Sequence, residues 1–339
     1  MSDPRYAVRS IHGQPQRSQH LDPMNQNMIL ETEAFNSPLA GPGGTTTRVR
    51  PRSATRAKSA SPVLAASQLD LQTVKARQKA TWESGDFGEV AKFTMPSAEE
   101  FMARLDLPPG TRVLDVACGT GNLAVLAARR GCRVSGLDIA TNLLAQARER
   151  AQRESLAIDF TEGDAEAMPY DDAGFDVVVS MYGIMFAPRP EWVVSELCRV
   201  TKPGGLIALA NWTPSGFIGK MFAVFARHLP PLPGIPSPLL WGDQAVVRDR
   251  FNGAIQDLRL TPRIARMCFP FDPAATVEFF RRYYGPTQRA FQALDPAGQA
   301  RLRSDLVELE ARHNVSPRRD ETDTPSEYLE VHARRAQAD

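Results

Sequence analysis

Short apolar runs and amphipathic stretches alternate along the chain between residues 74 and 212. The apolar runs are rich in Val, Leu and Ile, as in strands that are buried on both faces. The stretches between them place apolar residues at helical spacing. This alternation predicts a parallel sheet covered by helices on both faces. The predicted strands are 112–117, 133–138, 158–162, 175–180 and 206–212, and the predicted helices are 74–82, 98–105, 122–130, 142–153 and 191–200.

Beyond residue 212 the regular alternation stops, and helices predominate. Because ligands of open α/β sheets bind beyond the carboxyl ends of the strands, we expect part of this region to form a lid over a substrate, at 213–241 and 273–315. The pattern predicts helices at 217–228, 243–251, 276–294 (interrupted at Gly285-Pro286) and 298–313, a strand or strand pair at 255–271, and a last edge strand at 328–333.

The first 70 residues differ from the rest in composition. They are rich in Gln, Ser, Thr, Pro, Gly and Asn, and residues 35–68 contain no acidic residue. Such a segment buries too little apolar surface to offset the entropy of ordering it, which predicts a disordered tail. A basic interaction tail or an organelle-targeting leader is the alternative interpretation. The predicted organisation is thus a tail at 1–70, a ligand-binding core at 71–213, and the remaining strands with helical insertions at 214–339.

Composition narrows the function classes. The 40 Lys and Arg residues nearly balance 39 Asp and Glu, so the chain lacks the basic excess of a general nucleic-acid-binding protein. The four cysteines form no C-x-x-C pair and no His stands at zinc-site spacing, so neither a disulfide scaffold nor a metal site is expected. The longest near-apolar run, 177–187, is far shorter than the ~20 residues of a membrane span, and no apolar signal-peptide core is present. We therefore expect a cytoplasmic protein without a membrane span.

The most informative stretch is Val-Leu-Asp-Val-Ala-Cys-Gly-Thr-Gly at 113–121, in which a strand turns through two glycines into a helix. Glycines permit the tight turn and let the backbone approach a ligand closely. The helix beyond them offers free N–H groups. Residues 119–124 also match the loose G-x-G-x-x-A pattern of dinucleotide sites, so an NAD(P)-dependent oxidoreductase is an alternative.

Acidic residues at three successive strand ends favour a different ligand. Asp115 lies inside the strand before the glycines, where a carboxylate suits an ammonium group rather than a pyrophosphate. Asp138 ends the second strand, where it can accept hydrogen bonds from both hydroxyls of a ribose. Asp164 follows the third strand and can accept from an adenine amine. An ammonium, a ribose diol and an adenine amine together indicate S-adenosylmethionine as the cofactor.

Several motifs occur in an order that resembles a known family. The chain is similar to the class I S-adenosylmethionine-dependent methyltransferases, and among them to the ubiquinone and menaquinone C-methyltransferases. This resemblance implies a doubly wound, mostly parallel seven-stranded sheet of the Rossmann-like type. The matching pieces are V-L-D-V-A-C-G-T-G at 113–121, G-L-D at 136–138, G-D-A-E-A-M-P-Y at 163–170, F-D-V-V-V-S at 175–180, K-P-G-G at 202–205 and W-E-S-G-D-F at 82–87.

The resemblance implies a cofactor-binding role for particular residues. Asp115 would hold the methionine end of the cofactor, Asp138 the ribose and Asp164 the adenine edge. The others would be Ala117, Gly119 and Gly121 at the methionine end through their backbone, Ile139 and Ala165 at the adenine, Met181 near the sulfonium, and Trp82 as a cap.

Two departures from related families bear on the methyl acceptor. Residues 180–183 are Ser-Met-Tyr-Gly, whereas DNA and protein-amide N-methyltransferases carry an Asn-Pro-Pro-Tyr type tetrapeptide there. This difference argues against N-methylation of an exocyclic amine. The fifth predicted strand ends Leu-Ala-Asn-Trp at 209–212, where the quinone enzymes commonly have Glu-Phe. The resemblance to the quinone enzymes therefore does not extend to a quinone as the methyl acceptor.

The predicted activity is in-line methyl transfer to an oxygen or carbon nucleophile of a small hydrophobic molecule, driven by alignment and desolvation. Candidate general bases are His228, Tyr182, Tyr283 and Tyr284. Each has a structural alternative, because His228 can cap its helix and the tyrosines at 283 and 284 can be core aromatics. A non-catalytic S-adenosylmethionine-binding protein is the remaining alternative function.

Overall fold

The computed structural model describes residues 71–337, so the predicted tail lies outside the described residues. Seven strands form one sheet in the order β3-β2-β1-β4-β5-β7-β6. All pairs among β1 to β5 are parallel, and β7 runs antiparallel to both of its neighbours. The predicted doubly wound, mostly parallel sheet is thereby confirmed. The strands are β1 Arg112–Val116, β2 Arg133–Asp138, β3 Ile158–Glu162, β4 Phe175–Met181, β5 Thr201–Trp212, β6 Ile255–Phe269 and β7 Thr322–Arg335.

Ten α-helices flank the sheet in the described part of the chain. Helix α10 packs against α6 and α8, and α9 packs against α1, which joins the C-terminal helices to the start of the described chain. Among the described residues, no helix is long and apolar enough to cross a membrane. The helices are α1 Leu71–Trp82, α2 Phe87–Ala103, α3 Asn122–Arg129, α4 Thr141–Arg153, α5 Pro190–Val200, α6 Phe217–His228, α7 Gln244–Arg250, α8 Pro273–Tyr283, α9 Gly285–Gln292 and α10 Pro296–His313.

The centre of the sheet forms the core. Val113, Leu114 and Val116 of β1 have no exposed surface, and neither do Val178 and Val179 of the adjacent β4. Burial on both faces accounts for the continuous apolar runs that predicted these strands. The parallel pairing brings the carboxyl ends of β1, β2, β3 and β4 to one edge of the sheet.

The structure corrects three details of the predicted elements. The C-terminal strand is not at an edge, because β7 lies between β5 and β6, and it extends over Thr322–Arg335. The region predicted as a strand or strand pair is the single strand β6, which lies at one edge of the sheet. Helix α2 begins at Phe87, whereas the predicted helix begins at residue 98. The prediction starts too late because proline ordinarily disfavours a helix interior, yet Pro96 lies inside α2.

Candidate functional site

A cavity of about 1080 Å³, including its open mouth, lies at the carboxyl ends of β1, β2 and β4. With its open mouth included, this volume lies slightly above the ~300–1,000 Å³ that is typical of small-molecule binding sites. Nine of the ten cofactor residues predicted from the sequence line it. The tenth, Gly121, does not line the cavity and lies next to Phe160 and Ala147. The nine are Trp82, Asp115, Ala117, Gly119, Asp138, Ile139, Asp164, Ala165 and Met181.

The loop between β1 and α3 uses its two glycines differently. Both adopt left-handed backbone angles, with φ of +54° at Gly119 and +78° at Gly121. A Cβ on Gly119 would come no closer than 3.9 Å to the ring of Phe87, so this backbone is open to the cavity. A Cβ on Gly121 would lie 3.2 Å from Cζ of Phe160, because α3 packs closely there. Gly119 therefore permits approach of a ligand, whereas Gly121 permits helix packing.

Two buried carboxylates form the floor of the cavity. Asp115 is 2% exposed and its Oδ2 accepts a hydrogen bond from the N–H of Ala124 at 3.0 Å. Asp138 accepts from the N–H of Gly119 with Oδ2 at 2.7 Å and from the N–H of Ala140 with Oδ1 at 2.8 Å. Burial raises the pKa of both groups, and the pKa of Asp115 reaches about 8, with a smaller contribution from the negative charge of Asp138.

These two carboxylates fit a ligand with a positive charge and several hydrogen-bond donors. Their hydrogen-bond partners are backbone N–H groups, which leave further lone pairs on each carboxylate. An ammonium group beside Asp115 would offset the desolvation that raises its pKa. The amino-acid end and the ribose of S-adenosylmethionine supply an ammonium and two hydroxyls, so the residues present fit this cofactor.

A second polar group stands at the end of β3. Asp164 accepts a hydrogen bond from the N–H of Glu166 at 2.9 Å, and its other oxygen forms an ion pair with Lys75 of α1. Lys75 also pairs with Glu166 at 2.6 Å. Lys75 lines the cavity, and sequence reasoning missed it because its partner Asp164 lies 89 residues further along the chain.

The chain after β4 forms part of the cavity wall next to the loop after β1. Tyr182 has a φ of +62°, and its ring stacks on Trp212 with centroids 3.7 Å apart. A Cβ on Gly183 would lie 2.5 Å from Cβ of Ala117, so the segments that follow β1 and β4 touch at this point. Burial raises the pKa of Tyr182 well above its usual range. Burial therefore makes this hydroxyl harder to deprotonate than that of an ordinary tyrosine, which argues against Tyr182 as a general base.

The opposite wall is aromatic. The ring of Trp82 meets Phe186 at 4.8 Å and Phe87 at 5.6 Å, in both cases edge to face. Tyr284 packs behind them, 6.0 Å from Trp82. Ala91 and Thr94 of α2 extend the same wall. This part of the cavity therefore presents mainly aromatic and apolar surface.

The candidate base Tyr284 packs behind the aromatic rings and does not itself line the cavity, and burial raises its pKa. The other two candidate bases also lie outside the set of residues that line the cavity. His228, at the end of α6, pairs through Nε2 with Oδ2 of Asp305 at 2.9 Å. The ring of Tyr283 packs on Phe279 at 5.0 Å, and its backbone carbonyl accepts from the N–H of Asp86. Their contacts are those of structural residues, and a catalytic role for either stays a prediction.

Comparison with known proteins gives consistent matches. Residues 114–209 match the model of a methyltransferase domain. An uncharacterized protein of Mycobacterium tuberculosis is 36% identical over 247 residues, which are 71% of this chain and 90% of that protein. A demethylmenaquinone methyltransferase of Thermus thermophilus is 39% identical over 131 residues, 37% of this chain and 60% of that enzyme. Among solved structures, a phosphoethanolamine N-methyltransferase of Haemonchus contortus aligns with 20% identity and a TM-score of 0.45, over 72% of this chain and 53% of that one.

Proposed function

Since the chain belongs to the class I S-adenosylmethionine-dependent methyltransferases, we propose that it methylates an oxygen or carbon nucleophile of a small hydrophobic molecule. The observation that carries this proposal is the composition of one cavity, with buried Asp115 and Asp138 on its floor and aromatic rings on the opposite wall. The carboxylates suit the polar cofactor, and the rings suit an apolar acceptor.

The residues that would hold the cofactor follow the strand ends. Asp115 would accept from its ammonium group and Asp138 from its ribose hydroxyls. Asp164 would accept from the adenine amine, next to Ala165, and Ile139 would pack on the adenine. When bound, the cofactor supplies a methyl group already activated by a sulfonium leaving group.

The aromatic wall would orient the acceptor. Phe87 and Phe186 provide apolar surface in the cavity that Met181 and Tyr182 also line. Trp82, which contacts both rings, would cap the cofactor. Excluding water and aligning the nucleophile supply much of the acceleration of an in-line displacement.

We propose that the helical insertions act as a lid by packing behind the cavity wall, since none of their residues is among those that line the cavity. A Cβ on Gly285, at the start of α9, would lie 2.0 Å from the carbonyl oxygen of Thr81 in α1. On the other side, Phe222 of α6 lies 6.1 Å from Phe186 of the cavity wall. Both contacts support the proposal that 213–241 and 273–315 cover the acceptor.

Isothermal titration of S-adenosylhomocysteine and, separately, of NADH tests the cofactor. We expect binding of the former alone, since the matched family is one of methyltransferases. Binding of NADH alone would instead support the oxidoreductase alternative.

Methyl transfer from labelled S-adenosylmethionine to a panel of phenols, enols and carboxylic acids tests the acceptor class. Transfer to oxygen or carbon of an apolar acceptor is the expected result. Cofactor binding without transfer to any acceptor would favour the non-catalytic alternative.

A further inference from the structure

Helix α1 presents one face to the cavity through Lys75, Gln78 and Trp82, which are spaced as neighbours on a helix. Val74 is the buried residue of this helix, and Trp82 at its end packs on Phe87 and Phe186. Polar contacts hold the helix as well, including the hydrogen bond from Nε2 of Gln78 to the carbonyl of Phe186 at 2.5 Å. Lys75 is the charged member of this face.

Lys75 is held in a defined place by a buried carboxylate. The side chain of Glu166 is fully buried, and that of Lys75 is 13% exposed. Glu166 also accepts from the backbone N–H and from Nε of Arg189, both at 2.7 Å. Glu166 contacts Lys75 through Oε2, which also accepts from Nε of Arg189, and it thereby fixes the ammonium group beside Asp164.

Asp164 is in turn held through both of its carboxylate oxygens. Oδ1 accepts from the N–H of Glu166 at 2.9 Å, and Oδ2 receives Lys75. The carboxylate therefore has a set orientation, while its side chain remains 30% exposed. Each oxygen keeps a further lone pair for a donor on a ligand.

We propose that Lys75 is a positioning residue that makes the site selective for a 6-aminopurine over a 6-oxopurine. The inference rests on the proposed function, in which Asp164 accepts from the adenine amine. A 6-oxo group presents an acceptor where the amine presents a donor, so the hydrogen bond from the ligand is lost and the two oxygens repel each other. Without Lys75 the carboxylate can turn away, and the discrimination falls.

Titration of the full chain with S-adenosylhomocysteine and S-inosylhomocysteine tests this proposal. We expect the wild type to prefer the adenosyl compound by about 10-fold or more, the value of one hydrogen bond to a charged group. Lys75→Met should lower this ratio about fivefold or more, and Lys75→Arg should restore most of it. Lys79→Met is the matched control, because Lys79 is on the same helix and pairs with Glu162 and Glu83 outside the set of wall residues.

The affinity ratio separates positioning from a purely structural role. If Lys75→Met weakens both compounds equally, Lys75 only anchors α1 and the proposal is overturned. An equal change of the ratio in Lys79→Met would also overturn it. If the wild type binds neither compound, it is the proposed function that fails.

Discussion

The Asp138 carboxylate accepts a hydrogen bond from the backbone N–H of Gly119 at 2.7 Å, which joins the end of β2 to the glycine loop after β1. The other oxygen of Asp138 accepts from Ala140 at the start of α4. The proposed ribose ligand and the loop that would hold the methionine end are therefore one unit. A change at Asp138 is expected to act on both parts of the cofactor.

We predict that Asp138→Asn weakens binding of S-adenosylhomocysteine by about 10-fold or more, since an amide has one acceptor oxygen and cannot replace two charged ones. The midpoint of thermal unfolding should fall as well, because the amide nitrogen must face one of the two backbone N–H groups from which the carboxylate accepts. Calorimetric titration and differential scanning calorimetry measure the two quantities. Asp159→Asn, at an exposed position of β3, is the control. Unchanged affinity in Asp138→Asn would contradict the ribose assignment.

The raised pKa of Asp115 predicts a pH dependence of stability. Its pKa is about 8 in the folded protein, against 3.8 for an unperturbed group. The folded state therefore keeps a proton that the unfolded state loses, and the free energy of unfolding falls as pH rises through this interval. In Asp115→Asn the decline between about pH 4 and pH 8 should be smaller than in the wild type. Chemical denaturation at pH 5 and pH 8 measures the difference, and equal slopes would contradict the assigned cause.

The same group predicts proton release on binding. An ammonium group beside Asp115 favours the carboxylate form, so S-adenosylhomocysteine binding at pH 7 should release up to about one proton. Titration in two buffers of different ionisation enthalpy gives the number of protons released. Asp115→Asn should release fewer. A wild-type protein that releases none would show that the cofactor ammonium does not lie against Asp115.

The parallel half of the sheet could be predicted because its strands are buried on both faces. The bounds of β2 and β3 match the prediction, since apolar runs between turn residues mark such strands in any sequence. The first half of β7 could not be predicted, because its residues are polar and a polar run does not indicate a buried strand. In the structure Thr322 and Ser326 of this half are nevertheless fully buried. Thr324 is satisfied by the carboxylate of Glu310 on α10 at 3.0 Å, a contact between distant residues that no local pattern reveals.

In the candidate site, too, some residues could be predicted from the sequence and others could not. The acidic strand ends and Gly119 could be placed from the sequence, because motif and strand order determine where they lie. Lys75 could not, since its contacts arise only when α1 folds over the end of β3. The sequence also assigned one role to both glycines, whereas only the packing of Phe160 distinguishes Gly121 from Gly119.

Changing Gly119 or Gly121 to alanine should have opposite effects on stability and on cofactor binding. Both changes place a Cβ on a left-handed backbone, at a cost of about 1 kcal/mol. Gly121→Ala should lose about 1 kcal/mol more, because its Cβ crowds Phe160 at 3.2 Å. Gly119→Ala should mainly weaken S-adenosylhomocysteine binding, because its Cβ enters the cavity. Urea denaturation and calorimetric titration of both variants test this, and the reverse ranking would contradict the assigned roles.

His228→Gln distinguishes a structural histidine from a general base. The Nε2–H of His228 donates to Oδ2 of Asp305 at 2.9 Å, and this hydrogen bond is the main cause of the lowered pKa of the Asp305 carboxyl. A lowered pKa stabilises the fold above the unfolded value of 3.8 and loses that effect as pH falls below it. The variant should therefore lose up to about 1 kcal/mol of stability at pH 7, since Asp305 is partly exposed, and less at pH 3. Methyl transfer should keep its rate and its pH profile. Loss of transfer with intact cofactor binding would instead identify His228 as the base, and would require α6 to move toward the cavity during turnover.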